Sequence, residues 1–204
     1  MTARRVAGAV LAAGGGSRLG RPKGALVWQG HSLAERARRA LADAGCVPVV
    51  VVVQPGAEPA DLAPGAGTLV VPNPAWAEGM GSSFRAGLRA LAHAGPERAD
   101  VDAVVLTLAD TPHVRAEHVR RLMAAHAGGA RVAAAAWSGA RRTPVLLGRE
   151  HWEEAAGLAA GDVGARPFLA AHAELVTAVE CADLGPWVDV DSPDDLAALE
   201  ADVP

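Results

Sequence analysis

Short apolar runs and stretches of helical spacing alternate along the chain and predict an α/β fold. The continuous apolar run at 47–53, which is β-branched except at Pro48, is typical of a strand that is buried on both faces. Further apolar runs predict strands at 6–11, 68–71, 103–108, 132–136, 144–147, 175–179 and 188–190. Amphipathic stretches predict helices at 33–44, 82–94, 115–127, 150–156, 165–172 and from 193 onward. This alternation predicts one three-layer α/β/α domain over residues 1–204, with a Rossmann-like, mostly parallel sheet.

Local signals mark several ends of these elements. Ser32 and Glu35 form a capping box ahead of the first helix, which Gly45 ends. Ser138 and Gly139 predict a turn between two strands. Ser192 is the expected N-cap of the final helix, with a proline in its first position and two acids in its first turn.

Composition restricts the class of protein. Apolar residues make up 50% of the 204 residues and charged residues 21%, which indicates a globular chain. The net charge of −4 argues against a nucleic-acid partner. No apolar run is long enough to cross a membrane, and the one behind Arg4-Arg5 is too short for a signal peptide. We therefore expect a cytoplasmic protein with no membrane partner. The two cysteines, Cys46 and Cys181, are far apart in sequence, and we expect them to be ordinary buried thiols.

The loop after the first strand carries the strongest chemical signal. Its sequence is L-A-A-G-G-G-S-R-L-G-R-P-K, from Leu11 to Lys23. Consecutive glycines let a loop turn sharply and bring backbone N–H groups against an anion. Arg18 and Lys23 add positive charge, so the loop suits a polyphosphate.

Two common phosphate-binding templates do not fit this loop. A dinucleotide fingerprint requires G-x-G-x-x-G, and Gly20 comes one residue too late after Gly14 and Gly16. A P-loop requires Lys and Ser or Thr after its last glycine, where this chain has Arg21-Pro22. The remaining pattern, A-A-G-x-x-S-R-x-G-x-P-K, resembles the signature of the MobA-like nucleotidyltransferases, which include the molybdenum cofactor guanylyl- and cytidylyltransferases. It is also similar to the loop of sugar-phosphate nucleotidyltransferases.

Two later acidic stretches also resemble motifs of this family. L-T-L-A-D-T-P resembles its L-x-L-A-D-x-P motif, whose Asp, here Asp110, binds the catalytic metal. D-V-D-S-P-D-D-L resembles its D-[IV]-D-T-P-E-D-L motif, which makes Asp189 the expected second metal ligand ahead of Asp191. The resemblance therefore implies Mg²⁺, or Mn²⁺, on Asp110 and Asp189. Without the resemblance, Asp110 could equally be a turn-forming residue.

Two further stretches are similar to the family. The loop and helix start at 73–88 meet the base and ribose in relatives, and their small residues are Gly79, Gly81, Ser82 and Ser83. Ser82 or Ser83 can also serve as an N-cap, and Trp76 is expected to pack rather than to stack on a base. G-D-V-G-A-R at 161–166 resembles a motif of the cytidylyltransferase branch and is expected on the side of the second substrate.

The resemblance implies a complete set of nucleotide-binding and catalytic residues. Arg18, Lys23 and Asp110 are expected to act in catalysis. The expected nucleotide-binding residues are Leu11, Ala12, Ala13, Gly14, Gly15, Gly16, Ser17, Arg18, Lys23, Gly79, Gly81, Ser82, Ser83 and Asp110.

We expect transfer of CMP from CTP to molybdopterin with release of pyrophosphate, since A-A-G and G-D-V-G-A-R are similar to the cytidylyl enzymes. A molybdoenzyme that receives the cofactor is an expected partner. Thr111 and Arg142-Thr143-Pro144 depart from the common family pattern and leave other phosphorylated acceptors open. The alternatives are GTP or another nucleotide, a sugar-phosphate nucleotidyltransferase, a non-catalytic chaperone that binds nucleotide or cofactor and, with the weakest support, an NAD(P)-dependent oxidoreductase.

Overall fold

The fold is organised around one main sheet with helices on both faces. The computed structural model describes residues 5–62, 64–65, 67–93 and 100–201. The strands in these residues are β1 (Arg5–Leu11), β2 (Val27–Trp28), β3 (His31–Ser32), β4 (Val49–Val53), β5 (Thr68–Pro72), β6 (Val101–Leu108), β7 (Val132–Trp137), β8 (Ala140–Gly148) and β9 (Val176–Glu180). The helices are α1 (Leu33–Asp43), α2 (Met80–Ala92), α3 (Ala116–Ala127), α4 (Trp152–Leu158), α5 (Arg166–Ala171) and α6 (Pro193–Ala201).

The main sheet is mostly parallel, as predicted. Its strand order is β5-β4-β1-β6-β8-β7-β9. The four strands β5, β4, β1 and β6 form one half of the sheet and run parallel to one another. At the other edge β9 is parallel to β7. Only β8 runs antiparallel to both of its neighbours, because the turn at Ser138 and Gly139 joins it to β7 as a hairpin.

Alternation along the strands divides the core between the two faces of the sheet. Val10 and Val51 point to one face and pack with Leu33 of α1 and Leu122 of α3. On the opposite face Ala9, Val50 and Val52 pack with residues of α2, α4 and α5, which include Phe84, Trp152 and Phe168. Because both faces are covered, the strands lack the apolar–polar alternation of a solvent-exposed sheet.

The parallel half of the sheet sets two loops side by side. β1 and β6 are neighbours in register, with Leu11 opposite Leu108. The Ala109 N–H donates to the Leu11 carbonyl at 3.1 Å, just where both strands end. The glycine loop and the segment that carries Asp110 therefore leave the sheet at the same place, as the rule for open parallel sheets requires of a ligand site.

Two predictions of secondary structure differ from the observed fold. The expected strand at 188–190 is wrong: the Val190 N–H donates to the Asp110 carbonyl at 2.9 Å, but no ladder forms. β6 already pairs with β1 on one side and with β8 on the other, so it offers no free edge to a further strand. The small hairpin of β2 and β3 was not predicted. No helix in the described part of the chain has the length and apolar character needed to span a membrane.

Candidate active site

The glycine loop is folded back on itself. The Lys23 N–H donates to the Gly14 carbonyl at 3.1 Å, and the Leu19 N–H donates to the Gly16 carbonyl at 2.8 Å. Gly16 has a φ of +60°, and a Cβ there would lie 2.0 Å from the Arg21 carbonyl oxygen. Only glycine fits this position, and the resulting turn brings the side chain of Lys23 back over the start of the loop.

Lys23 joins two carboxylates that are far apart in sequence. Its ammonium nitrogen lies 2.7 Å from Asp110 Oδ2 and also bonds Asp191 Oδ1. The two carboxylates are held together by the backbone bond from Val190 to Asp110. The predicted catalytic residues Lys23 and Asp110 are thus in direct contact, and Asp191 completes a cluster of three charged groups.

Burial and charge set the ionisation of this cluster. Burial raises the pKa of Asp110, the charges of Asp191 and Asp189 raise it further, and the ammonium of Lys23 opposes both effects. Burial alone would lower the pKa of Lys23, but its charge interactions and hydrogen bonds with Asp110 and Asp191 outweigh burial and raise the pKa above 10.5. Lys23 is therefore an ammonium at neutral pH.

A cap on the last helix positions Asp191. The carboxylate of Asp195 accepts hydrogen bonds from the N–H of Asp191 at 3.0 Å and from the N–H of Ser192 at 2.8 Å. In return the Ser192 hydroxyl accepts the N–H of Asp195 at 3.2 Å, which completes a capping box. Asp195 therefore does more than balance the helix dipole, the role predicted for it.

The charged cluster stands where two clefts meet. The first cleft has a volume of about 570 Å³ and contains the glycine loop, so we call it the loop cleft. The predicted nucleotide-binding residues that line it are Leu11, Ala13, Gly14, Gly15, Gly16, Ser17, Arg18, Lys23, Gly79, Ser83 and Asp110. Asp191 lies in its wall as well, whereas Asp189 does not.

The second cleft, with a volume of about 710 Å³, lies on the other side of the cluster. We call it the arginine cleft, because Arg141, Arg142 and Arg166 line it. It shares Lys23, Asp110 and Asp191 with the loop cleft, and Asp189 belongs to it alone. One substrate in each cleft would therefore meet the other at the charged cluster.

Three predicted nucleotide-binding residues lie behind the loop cleft instead of in its wall: Ala12, Gly81 and Ser82. A Cβ on Gly81 would lie 2.7 Å from the backbone nitrogen of Ala160, so this glycine permits close packing of two backbone segments. Ser82 donates to the Gly79 carbonyl at 2.8 Å and accepts from the amide of Asn73 at 2.8 Å. These residues shape the loop around Gly79 and place Ser83 at the cleft.

Residues 162–166 of the G-D-V-G-A-R segment lie in the wall of the arginine cleft. Asp162 lines both clefts. Arg166 and Gly164 line the arginine cleft alone.

Several cleft residues were not predicted. Trp187 lies in the arginine cleft, and the guanidinium of Arg142 stands 5.0 Å from its ring centre. Trp76 packs on the backbone of Gly15, as its predicted packing role requires, and also lines the loop cleft. The position of Trp187 two residues before Asp189 was the one signal in the sequence that could have pointed to it.

Three buried polar atoms of the arginine cleft have no hydrogen-bond partner among the described residues. They are Asp110 Oδ1, Thr143 Oγ1 and Trp187 Nε1. Buried polar groups are otherwise almost always paired, so these atoms fit a site that binds a polar ligand.

The donor set fits a metal only in part. The described residues contain no group of three or more His, Cys, Asp and Glu side chains arranged to hold an ion. Mg²⁺, however, commonly takes one or two carboxylates and completes its shell with water and substrate phosphates. Two carboxylates meet that smaller requirement. Asp110 has a buried oxygen, Oδ1, without a partner among the described residues, and Asp191 contacts the same Lys23 ammonium as Asp110.

Comparisons with known proteins show what the chain as a whole is similar to. A family model described as the MobA-like NTP transferase domain matches residues 8–176. The "Nicotine blue oxidoreductase" of Paenarthrobacter nicotinovorans is 35% identical over 207 residues, which cover 95% of this chain and 96% of that protein.

Solved structures share the fold. An rv0371c homolog from mycobacterium sp. strain JC1 superposes with a TM-score of 0.77 at 28% identity, over 97% of this chain and 96% of that chain. Rv0371c from Mycobacterium tuberculosis H37Rv has a TM-score of 0.76 at 25% identity, over 98% of this chain and all of that chain. A structure of Rv0371c in complex with manganese has a TM-score of 0.71 at 24% identity, over the same shares of the two chains.

Proposed function

The chain belongs to the MobA-like NTP transferase family, and from this premise we propose that it is a metal-dependent cytidylyltransferase that transfers CMP from CTP to molybdopterin. The observation that carries the transferase reading is the contact of Lys23 with Asp110 and Asp191 at the junction of two clefts. Family membership implies a nucleoside triphosphate and a phosphorylated acceptor as substrates.

In this proposal the loop cleft holds the nucleoside triphosphate. The backbone of the glycine loop and the cations of Arg18 and Lys23 face its phosphates. Gly79 and Ser83 also line this cleft, and the base and ribose would lie against them. The choice of CTP rests on the resemblance of A-A-G and G-D-V-G-A-R to the cytidylyl enzymes.

The arginine cleft receives the acceptor. Arg141, Arg142 and Arg166 supply guanidinium groups that can pair with a phosphate, and Trp187 and Leu169 supply apolar surface. The acceptor phosphate oxygen forms a bond to the α-phosphorus, the bond from this phosphorus to the β-phosphate bridging oxygen breaks, and pyrophosphate leaves. Lys23, held as an ammonium by its two carboxylates, lies where negative charge grows during this exchange.

Asp110 is the proposed metal ligand, and Asp189 was predicted as the second. The structure favours Asp191 over Asp189 as the second metal ligand, because Asp191 contacts the same ammonium as Asp110 and lines both clefts. A bound Mg²⁺ or Mn²⁺ would neutralise phosphate charge as a Lewis acid. The manganese complex of Rv0371c supports a divalent cation in this fold.

Turnover tests the proposal. The wild-type protein with Mg²⁺, molybdopterin and each of CTP, GTP, ATP and UTP should release pyrophosphate fastest with CTP. Asp110→Ala and Lys23→Ala should each lower kcat by about 10²–10³-fold, the usual cost of removing a group that stabilises the transition state. Arg21→Gln is the matched control, since Arg21 is an exposed cation of the same loop outside both clefts. Wild-type turnover by a folded Asp110→Ala protein would remove the metal assignment.

A second candidate function has its own observation. The relative at 35% identity is named an oxidoreductase. In this reading a nicotinamide would take the loop cleft and a flat, oxidised aromatic substrate would stack near Trp187. Oxidation of NADH or NADPH by a quinoid dye, followed at 340 nm without any nucleoside triphosphate, distinguishes the two. Nicotinamide oxidation without pyrophosphate release would replace the transferase proposal.

A further inference from the structure

A third depression lies away from both clefts, between α1 and the start of α3. It has a volume of about 350 Å³ and shares no lining residue with the loop cleft or the arginine cleft. Its charged walls are formed by Arg36, Arg39, Arg115, Arg120, Asp43 and Glu117. We call it the α1–α3 groove.

Most of the arginines of the groove already have partners. Arg39 pairs with Glu35 at 2.8 Å. Arg120 pairs with Glu117 at 3.1 Å and also donates to the Asp43 carbonyl at 2.6 Å. Arg115 donates to the Leu184 carbonyl. One of the two acids of the groove, Glu117, is thus already paired with an arginine. Since four guanidinium groups line the groove with only two carboxylates, positive charge is in excess there.

Arg36 is the exception. It has no ion pair among the described residues; its guanidinium donates to the Gln29 side chain at 3.3 Å and lies 4.1 Å from the ring centre of Trp28. Its Nε is buried without a hydrogen-bond partner. Burial and the neighbouring charge of Arg39 lower its pKa. Arg36 is thus a partly buried cation without a carboxylate partner among the described residues, and an anion in the groove would supply its counter-ion.

The start of α3 adds a second source of positive potential. Ala116 and Glu117, the first residues of this 12-residue helix, line the groove. The N–H groups of a first helical turn and the helix dipole favour a negative group at this end. Glu117 lies in that turn, but its carboxylate is directed to Arg120.

We propose that the α1–α3 groove binds a small phosphate anion, either inorganic phosphate or a phosphate monoester, through Arg36, Arg39 and the start of α3. Pro112 and Val114, in the segment that follows Asp110, line the same groove. The Trp28 ring contacts Arg36 on one side and lies 5.6 Å from the ring of His113 on the other. A bound phosphate would therefore touch the back of the segment that carries Asp110.

Nuclear magnetic resonance can test this site without an activity assay. The ¹⁵N-labelled protein is titrated with sodium phosphate at constant ionic strength, and the indole N–H signal of Trp28, assigned with Trp28→Phe, is followed. We expect a saturable shift that persists in Lys23→Gln, a variant of the clefts. Arg36→Gln should weaken binding at least tenfold, and Arg39→Gln, as a second variant of the groove, should also weaken it.

Arg131→Gln is the matched control, because Arg131 is half-exposed, pairs with Glu150 at 3.4 Å and lies outside the groove. It should bind phosphate like the wild type. A parallel titration with glycerol phosphate separates the two sources: tighter binding of the monoester identifies an organic phosphate as the ligand, and equal or weaker binding identifies inorganic phosphate. The proposal is overturned if the Trp28 signal does not move, moves equally with chloride, or moves equally in Arg36→Gln.

Discussion

At the residue scale, the loop cleft depends on a few positions whose role is geometric. Gly16 and Gly20 both have positive φ, +60° and +67°, and both are glycines of the same loop. They differ in their surroundings: a Cβ at 16 would collide with the Arg21 carbonyl, whereas one at 20 would meet nothing within 4 Å. An alanine at position 20 would therefore introduce backbone strain alone, whereas an alanine at position 16 would introduce both strain and a steric clash.

We expect Gly16→Ala to reduce nucleotide affinity at least tenfold, which corresponds to about 1.4 kcal/mol, because the loop must open to admit the methyl group. Gly20→Ala should only add the strain of a left-handed residue, about 1 kcal/mol of folding stability. Calorimetric titration with CTP and chemical denaturation measure the two effects. Equal losses of affinity in both variants would contradict this account.

The same scale decides between Asp189 and Asp191. Asp191 contacts Lys23 and is fixed by Asp195, whereas Asp189 lines only the arginine cleft. We therefore expect Asp191→Asn to raise the Mg²⁺ concentration needed for half-maximal activity about tenfold or more, the loss typical of an altered metal shell. Asp189→Asn should mainly raise KM for the acceptor. The reverse pattern would return the second ligand to Asp189, as the sequence resemblance had it.

At the element scale, most strands and helices could be predicted because their signals are local. The apolar run at 47–53 contains β4, which begins at Val49, directly after Pro48, and the turn at Ser138 and Gly139 joins two strands as expected. The prediction of a strand at 188–190 was wrong for a non-local reason: β6, the strand next to this segment, has no free edge with which it could pair. The hairpin of β2 and β3 was not predicted because its strands have only two residues each. Both turn residues, Gln29 and Gly30, have positive φ, and Gln29 stands at the first position, where Asn or Asp is usual.

At the N-terminus of α1, one of the two hydrogen bonds of the predicted capping box forms and the other does not. Ser32 accepts the N–H of Glu35 at 3.1 Å, as the capping box predicts. The Glu35 carboxylate does not return to Ser32, whose N–H donates to Asp61 at 2.8 Å. Glu35 instead pairs with Arg38 at 2.6 Å and with Arg39 at 2.8 Å, although its side chain is only 5% exposed.

This buried pairing gives stability a pH dependence. Burial alone would raise the pKa of Glu35, but the hydrogen bonds and charges of Arg38 and Arg39 outweigh it and hold the pKa below 4.5. The stabilisation is therefore present above the unfolded-state pKa and is lost as the pH falls through the lower folded-state value. Glu35→Gln should lower the free energy of unfolding by about 1–2 kcal/mol at pH 7, with a gap that closes on acidification.

Urea denaturation of both proteins between pH 7 and pH 3 measures this gap. Glu117→Gln is the control, since Glu117 forms an exposed pair with Arg120 on α3, and pairs of this kind contribute little. A gap between wild type and Glu35→Gln that stays constant down to pH 3 would show that the ion pairs do not cause it.

At the scale of the whole molecule, the order of the sheet brings distant motifs together. The loop after β1 and the segment after β6 meet because these strands are parallel neighbours, and residues 189–191 join them through the Val190 bond to Asp110. The sequence motifs were enough to predict the fold and the family. They could not predict the arginine cleft, because Arg142 and Trp187 come together only through tertiary packing.

A thermal-shift titration tests most directly whether the loop cleft binds a nucleoside triphosphate together with a divalent cation. A ligand that binds only the folded state stabilises it by about 2.7 kcal/mol at a hundredfold excess over Kd. We predict that CTP with Mg²⁺ raises the Tm of the wild type, raises that of Asp110→Asn much less, and exceeds GTP, ATP and UTP in effect. A rise with NADPH and none with any nucleoside triphosphate would contradict this prediction and favour the oxidoreductase.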